Sequence, residues 1–346
     1  MCIAPLSQEI LDNLKKFKYH YTNDSIIYNH CMSPMLNKLV NYLPMTLAPN
    51  LITFFSLCCN IVAAVIAFYD GGFDFSQELT RTTCFIIGIF QLFYSLLDNI
   101  DGKQARRTGN STPFGMIMDH GCDVFTNILT AYNLSKLLLL GNDLIYFPVF
   151  IGLLVGFYMM TYEEYKIDEM YFPAINGADE GNFAVFLLGV ACGIFGQNWL
   201  NFIPFERYNL TVGQFSGIGI ALSSLSAIYN LYAHTYKKKG GNELLGIFWD
   251  NMTFYCVIIV PILYIVYRIQ FYREYKWIIL VNACLIFARV TIDLQIKLAT
   301  LDKLQGNLLF ILCNLLFLVS YFLEDNESTL YYLEALAIFQ LCELIS

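Results

Sequence analysis

The chain has 346 residues, of which 57% are hydrophobic and 14% charged, and its mean hydropathy is positive. Soluble domains carry about a quarter charged residues, so this core must be laid out in membrane spans rather than in one globule. A net charge of −8 excludes a nucleic-acid surface, which needs clustered basic residues.

The eleven cysteines are scattered through apolar runs without a C-x2-C pair, and they read as reduced, small hydrophobes rather than a disulfide or zinc framework. The first 45 residues are mixed polar and aromatic. They hold no apolar run able to cross a bilayer and no basic stretch before a cleavable apolar segment, so no signal peptide is expected. Between Pro34 and Pro44, Leu36, Leu39, Val40 and Leu43 share one helical face, which predicts a helix lying on the cytosolic membrane surface. Ala48, Pro49 and Asn50 open the first long apolar run, and Asn50 suits a helix cap. Apolar runs follow at about 46–69, 82–100, 113–140, 143–161, 183–204, 211–234, 245–267, 276–296, 304–323 and 328–345. Each is near the ~20 residues a span needs. The last is the weakest, because Glu334 and Glu343 interrupt it. The expected fold is an all-α polytopic membrane protein of about ten transmembrane helices. It divides into a cytosolic or interfacial segment (1–45), a helical bundle (46–235) and C-terminal transmembrane helices that form a dimer or lipid-access region (236–346).

The chemistry concentrates between the second and third runs. Asp98 and Asp101 are three residues apart and Asp119 and Asp123 four apart, so on helices each pair shares one face. The segment Arg107–Phe114 carries the Gly, Asn, Ser and Pro of a turn. Two helices of a hairpin would therefore offer four carboxylates to one point at the cytosolic edge of the membrane. Four such acids repel one another unless a cation neutralises them, and all-oxygen ligation suits magnesium first, with manganese or calcium also compatible. Metal ions held there would clamp a pyrophosphate, Arg106 would add a planar fork for phosphate, and Gly102 and Ala105 leave the helix face bare for a bulky ligand.

The pattern D-x2-D-G-x2-A-R-x8-G-x3-D-x3-D, met by Asp98, Asp101, Gly102, Ala105, Arg106, Gly115, Asp119 and Asp123, resembles the signature of the CDP-alcohol phosphotransferases. The flanking text, with His120 directly after Asp119, is most similar to the eukaryotic choline/ethanolamine phosphotransferases. The likeness runs from about residue 30 to the C-terminus and is dense only around the motif. The resemblance implies transfer of phosphocholine or phosphoethanolamine from CDP-choline or CDP-ethanolamine to diacylglycerol, with release of CMP. It implies Mg2+, or Mn2+, held by Asp98, Asp101, Asp119 and Asp123. It also implies a cytidine contact at Asn50, substrate contacts at Asp98, Gly102, Ala105, Arg106 and Asp119, a homodimer, and residence in endoplasmic reticulum or Golgi membrane. His120 is the preferred general base, its ordinary pKa suiting proton uptake near neutrality, with Asp123 as the alternative.

The acid- and tyrosine-rich stretch 162–182 is expected to be either a solvated loop or a pocket for an ammonium head group, with Glu163 and Glu164 nearest the membrane. His20, His30 and His234 have no acid or cysteine neighbours at ligand spacing and receive no role. Fourteen Lys and Arg residues, Lys18 and Lys303 among them, fall on the side of the N-terminus and the acid motif. Six, including Lys136 and the expected Arg268–Lys276 loop, fall on the other, which favours a cytosolic motif. The alternatives are a relative with a polar acceptor (inositol, serine or glycerol phosphate) and a divalent-cation transporter, since clustered acids in spans also mark ion pathways.

Overall fold

The computed structural model describes residues 7–17, 19–141, 143–204, 206–240, 246–247, 250–252, 254–302, 308–323 and 325–345. Lys18 and Lys303 of the charge count lie outside them, as do the side chains of Lys238 and Lys239. Helices dominate. Among the described residues the strands are β1 (Tyr21–Asn23) and β2 (Met170–Phe172), paired in parallel with Tyr21 opposite Met170. The described residues form two compact units, Met1–Ile228 with Leu298–Leu301, and Tyr229–Lys297 with Asp302–Ser346.

In the first unit, α1 (Gln8–Lys16) is capped by Ser7 and buries none of its residues. The helix expected between Pro34 and Pro44 is present as α2 (Ser33–Leu39) followed by a tight turn, Val40–Tyr42. The expected face, Leu36, Leu39, Val40 and Leu43, divides between protein and surface. Leu36 and Val40 are buried with Tyr28, Met32, Ile52 and Ile100, while Met35, Leu39 and Tyr42 are exposed. The preceding turn supplies Tyr28 and Met32 as partners for Leu36 and Val40.

Helix α3 (Pro49–Gly71) starts with proline at its first position after Ala48, so Asn50 lies inside the first turn and is not the cap. It ends at Gly72, whose φ of +49° suits glycine. Helix α4 (Arg81–Thr108) is capped by the Thr80 hydroxyl, which accepts from the Thr83 N–H at 3.3 Å, and stops at Gly109 in the left-handed region. Four residues later α5 (Pro113–Leu137) begins, capped by Thr112. Helix α3 packs against both α4 and α5. Helix α6 (Asp143–Ile167) leads through β2 and the turn Gly177–Gly181 into α7 (Asn182–Phe195), which lies along α4. At that crossing a Cβ on Gly189 would sit 2.6 Å from Gly88 Cα, a backbone approach that only small residues allow.

Lys136, counted among the charges of the far side, is fully buried. Its ammonium donates to Gly71 O at 3.0 Å and Asp74 O at 2.5 Å, closing the C-terminus of α3 where the helix dipole favours a cation. Gln197 completes the junction by donating to Lys136 O and Leu137 O and accepting from Leu79 N at 2.6 Å.

The second unit contains helices Tyr255–Tyr267, Leu308–Ser320 and Asn326–Ile345, and the helix Ile269–Thr300 as far as Lys297. The expected Arg268–Lys276 loop is helical apart from a break at Arg268 and a kink at Tyr275. Arg268 is consumed internally, donating to Leu323 O and Asn326 Oδ1 at 2.8 Å and stacking over Phe271. Glu343, the acid that weakens the last run, lies 4.0 Å from Arg289.

Ten spans were expected. Among the described residues seven helices are long and apolar enough to cross a membrane: α3, α4, α6, Gly177–Phe195, Val212–Ala233, Ile269–Thr300 and Asn326–Ile345. Helix α5 is long enough, but Asp119, His120, Asp123 and Lys136 make it too polar. Tyr255–Tyr267 and Ile311–Ser320 are apolar but shorter, and both expected runs begin in residues outside those described.

Candidate active site

Two consecutive helices supply the acids. Gly109 turns the chain out of α4, its N–H reaching back to Ala105 O and Arg106 O, and Thr112 Oγ1 accepts from Gly115 N at 3.0 Å as α5 starts. One carboxylate oxygen each from Asp98, Asp119 and Asp123 then lies within 4.8 Å of the others. Asp101 is buried beside Asp119 and takes the hydroxyl of Thr53 from α3. Tyr94, one turn before Asp98, donates its hydroxyl to Asp123 Oδ1 at 2.9 Å. Asp98 Oδ1 and Asp119 Oδ1 are buried and have no hydrogen-bond partner among the described residues. Buried carboxylate oxygens without donors are costly, and three carboxylates at this spacing fit a hard divalent cation that would satisfy them together.

The neighbouring residues divide by helix face. Gly102 is open: the nearest atoms a Cβ would meet belong to the Arg106 guanidinium, at 3.5 and 3.9 Å. Arg106 is exposed and Ala105 half-buried on the same side. Asn50 reaches the start of α5, its Oδ1 standing 3.5 Å from where a Gly115 Cβ would be. On the opposite face, Lys103, Gln104 and Arg107 serve the fold. Lys103 donates to Asn37 Oδ1 at 2.9 Å, Gln104 to Pro44 O at 2.8 Å, and Arg107 to Val40 O and Leu43 O at 2.8 Å. These three hold the chain around α2 against α4. Lys103 and Arg107, four residues apart and on the side of α4 away from Asp98 and Asp101, were the signal available in the sequence.

His120 is buried, and the Tyr19 ring meets it edge-on with centroids 5.4 Å apart. Glu164 is only 2% exposed, with Oε2 lacking a hydrogen-bond partner among the described residues, while Glu163 is half-buried. The stretch 162–182 is not a plain solvated loop. Beyond the end of α6 it pairs with the N-terminal segment: Asp179 Oδ2 accepts from Asn23 Nδ2 at 3.0 Å, and Glu180 Oε1 accepts from Ser25 Oγ at 2.7 Å and Ile27 N at 3.1 Å. These contacts link residues more than 150 apart, and no local pattern announces them.

Residues 46–195 match the CDP-alcohol phosphatidyltransferase family. The matched stretch covers less than half of the chain. It contains α3, α4, α5, α6 and α7, and so the whole acid cluster. The chain is 32% identical to Cholinephosphotransferase 1 of Saccharomyces cerevisiae over 61% of this chain and 52% of the yeast protein. It is 33% identical to an uncharacterized CDP-alcohol phosphatidyltransferase class-I family protein of Dictyostelium discoideum, over 58% of this chain and 50% of that one. It thus spans about half the length of these two relatives. A longer match, to Cholinephosphotransferase 1 of Rattus norvegicus, covers 92% of this chain and 81% of the rat protein at 26% identity.

Proposed function

We propose that the protein is a divalent-metal-dependent CDP-alcohol phosphotransferase that moves phosphocholine or phosphoethanolamine from its CDP ester to diacylglycerol. The observation that carries this reading is the convergence of Asp98, Asp119 and Asp123, with two donor-less buried oxygens, inside the stretch that matches the family. Similarity to two cholinephosphotransferases supports the choice of alcohol.

In this reading Asp98, Asp119 and Asp123, with Asp101 beside them, hold Mg2+ or Mn2+. The ion, when bound, neutralises the pyrophosphate and stabilises charge developing on the departing phosphate. Asn50 contacts the cytidine, Gly102 and Ala105 leave room for it, and Arg106 steadies the phosphates from the open face of α4. The diacylglycerol hydroxyl arrives laterally from the bilayer. As its oxygen bonds to the phosphorus bearing the alcohol, the bond from that phosphorus to the CMP oxygen breaks, and CMP leaves. His120 takes the hydroxyl proton. The alternative base, Asp123, is already engaged by Tyr94 and its fellow acids, which favours the imidazole. The site faces the cytosol of the endoplasmic reticulum or Golgi membrane, where cytidine nucleotides are available, and the protein works as a homodimer.

Purified protein in lipid, supplied with Mg2+, diacylglycerol and either CDP-choline or CDP-ethanolamine, is expected to release CMP, and Asp119→Asn to abolish the release. No CMP from either donor with folded protein would overturn the assignment. CMP release only with CDP-diacylglycerol and a polar alcohol would move the protein to the inositol, serine or glycerol-phosphate branch.

A further inference from the structure

The N-terminal segment before α2 lies outside residues 46–195, yet it is fixed against His120, the residue after Asp119. Its backbone pairs with the chain leaving α6: Met170 N donates to His20 O at 2.9 Å, Asp24 N to Phe172 O at 2.9 Å, and Ile26 N to Ala174 O at 3.2 Å. Asn23 and Ser25 add side-chain bonds to Asp179 and Glu180. Together these contacts make a strap rather than a loose tail. It sets Tyr19 edge-on to His120, with the Tyr19 hydroxyl donating to Met170 Sδ at 3.1 Å, and stacks Tyr21 on Tyr19 with centroids 5.6 Å apart.

Beside this aromatic pair runs an open groove of about 330 Å³, lined by His20, Tyr21 and Thr22 of the strap and by Ile167, Asp168 and Glu169 at the end of α6. Glu164 stands one turn before Asp168 on the same helix, buried and with Oε2 lacking a hydrogen-bond partner among the described residues. The Tyr19 hydroxyl senses this surrounding: it is held well above the usual phenol range, first by lost hydration and then by the charges of Glu164 and Asp119. A buried carboxylate oxygen without a donor, one helical turn from the groove, asks for a cation, and the tyrosine rings suit an alkylated ammonium because their faces are electron-rich.

We propose that Tyr19, Tyr21 and Glu164 form the receptor for the ammonium head of the transferred alcohol, so that the strap selects the donor. This rests on the phosphotransferase reading above. The division of labour is chemically sensible. The pyrophosphate chemistry sits in the family-matching stretch, and the choice of head group draws on a segment outside it. The receptor favours a cationic head over a neutral polyol, because a polyol would leave the Glu164 carboxylate without a counter-charge.

Equilibrium binding to the full chain in lipid nanodiscs with Mg2+ tests this, using CDP-choline, the neutral-headed CDP-glycerol, and CMP. The wild type is expected to bind CDP-choline at least about tenfold tighter than CDP-glycerol, as a desolvated cation–π and carboxylate contact allows. Glu164→Gln and Tyr19→Leu are expected to erase that preference while CMP affinity stays within about twofold, since CMP lacks the head group. Tyr21→Leu, at a more exposed position where folding is not at risk, is expected to lose about threefold. Retention of the preference in all three variants, or its absence in the wild type, overturns the head-group receptor. A parallel loss of CMP affinity overturns it too, by exposing a merely structural role. Failure of wild-type protein to bind any cytidine nucleotide would instead overturn the phosphotransferase reading on which the receptor rests.

Discussion

The Tyr94 hydroxyl donates to Asp123 Oδ1 at 2.9 Å from one helical turn ahead of Asp98, so α4 contributes both an acid and the group that aims an acid of α5. Partners of this kind fix a ligand's orientation, and losing one typically costs about 10- to 100-fold in metal affinity. Tyr94→Phe keeps the ring and removes the donor. The expected result is at least about tenfold weaker Mn2+ binding, followed by electron paramagnetic resonance of the free ion, with melting temperature nearly unchanged. Thr53→Val, which removes the hydroxyl bound to Asp101, should act in the same direction. Undiminished Mn2+ binding in both variants would mean that these hydroxyls do not orient ligands.

Arg106 and Arg107 are adjacent, and the structure gives them different work. Arg107 donates to Val40 O and Leu43 O, whereas Arg106 is exposed on the face of Gly102. Arg107→Ala is expected to destabilise the protein by about 1.5–3 kcal/mol, the range for a hydrogen bond to a charged group, visible as a lower melting temperature in detergent. Arg106→Ala should leave melting unchanged and raise the KM for the CDP-alcohol. The reverse assignment of the two phenotypes would refute this division.

The motif was legible because its chemistry is local: acids three and four apart on two helices, a turn between them, and bare positions at Gly102 and Ala105. The long apolar runs were legible for the same reason, since each helix satisfies its own backbone. What stayed hidden depends on contacts between distant segments. The pairing of β1 with β2, the choice of Ile52 and Ile100 as partners for Leu36 and Val40, and the use of Asp179 and Glu180 to tie down the N-terminal strap leave no periodic trace. The charge count took Lys136 and Arg268 as loop charges of the far side, whereas both are used internally as caps.

Lys136 provides a direct stability test. Its ammonium satisfies Gly71 O and Asp74 O in a site with no exposure, at the opposite end of α5 from the acids. Lys136→Met keeps most of the volume but leaves those carbonyls without their donor, at a cost of about 1–3 kcal/mol for each unsatisfied group. A lower melting temperature is expected, with Mn2+ affinity of the folded fraction unchanged. An equal or higher melting temperature would show that the charge is better removed than retained.

The α4–α7 crossing decides where the acid-bearing helix sits, and it depends on two glycines. A Cβ on Gly88 would lie 2.8 Å from Phe186 O and 2.9 Å from Val190 N, and one on Gly189 would lie 2.6 Å from Gly88 N and 2.8 Å from Cys84 O. The obstructing atoms are backbone, which cannot swing aside as a flexible side chain does. Two effects compete in a glycine-to-alanine change here. Helix propensity favours alanine by about 0.8–1 kcal/mol, while forced overpacking costs about 1–3 kcal/mol. With contacts this short the steric term should win, so Gly189→Ala is expected to lower the melting temperature, and Gly189→Leu to lower it further. Because the shift displaces α4, Mn2+ affinity should fall with it, which Lys136→Met does not produce. Gly219, where a Cβ would meet nothing within 4 Å, supplies the control: alanine there should be neutral or stabilising. If Gly189→Ala instead behaves like Gly219→Ala, the crossing is looser than the distances imply and does not set the position of the acids.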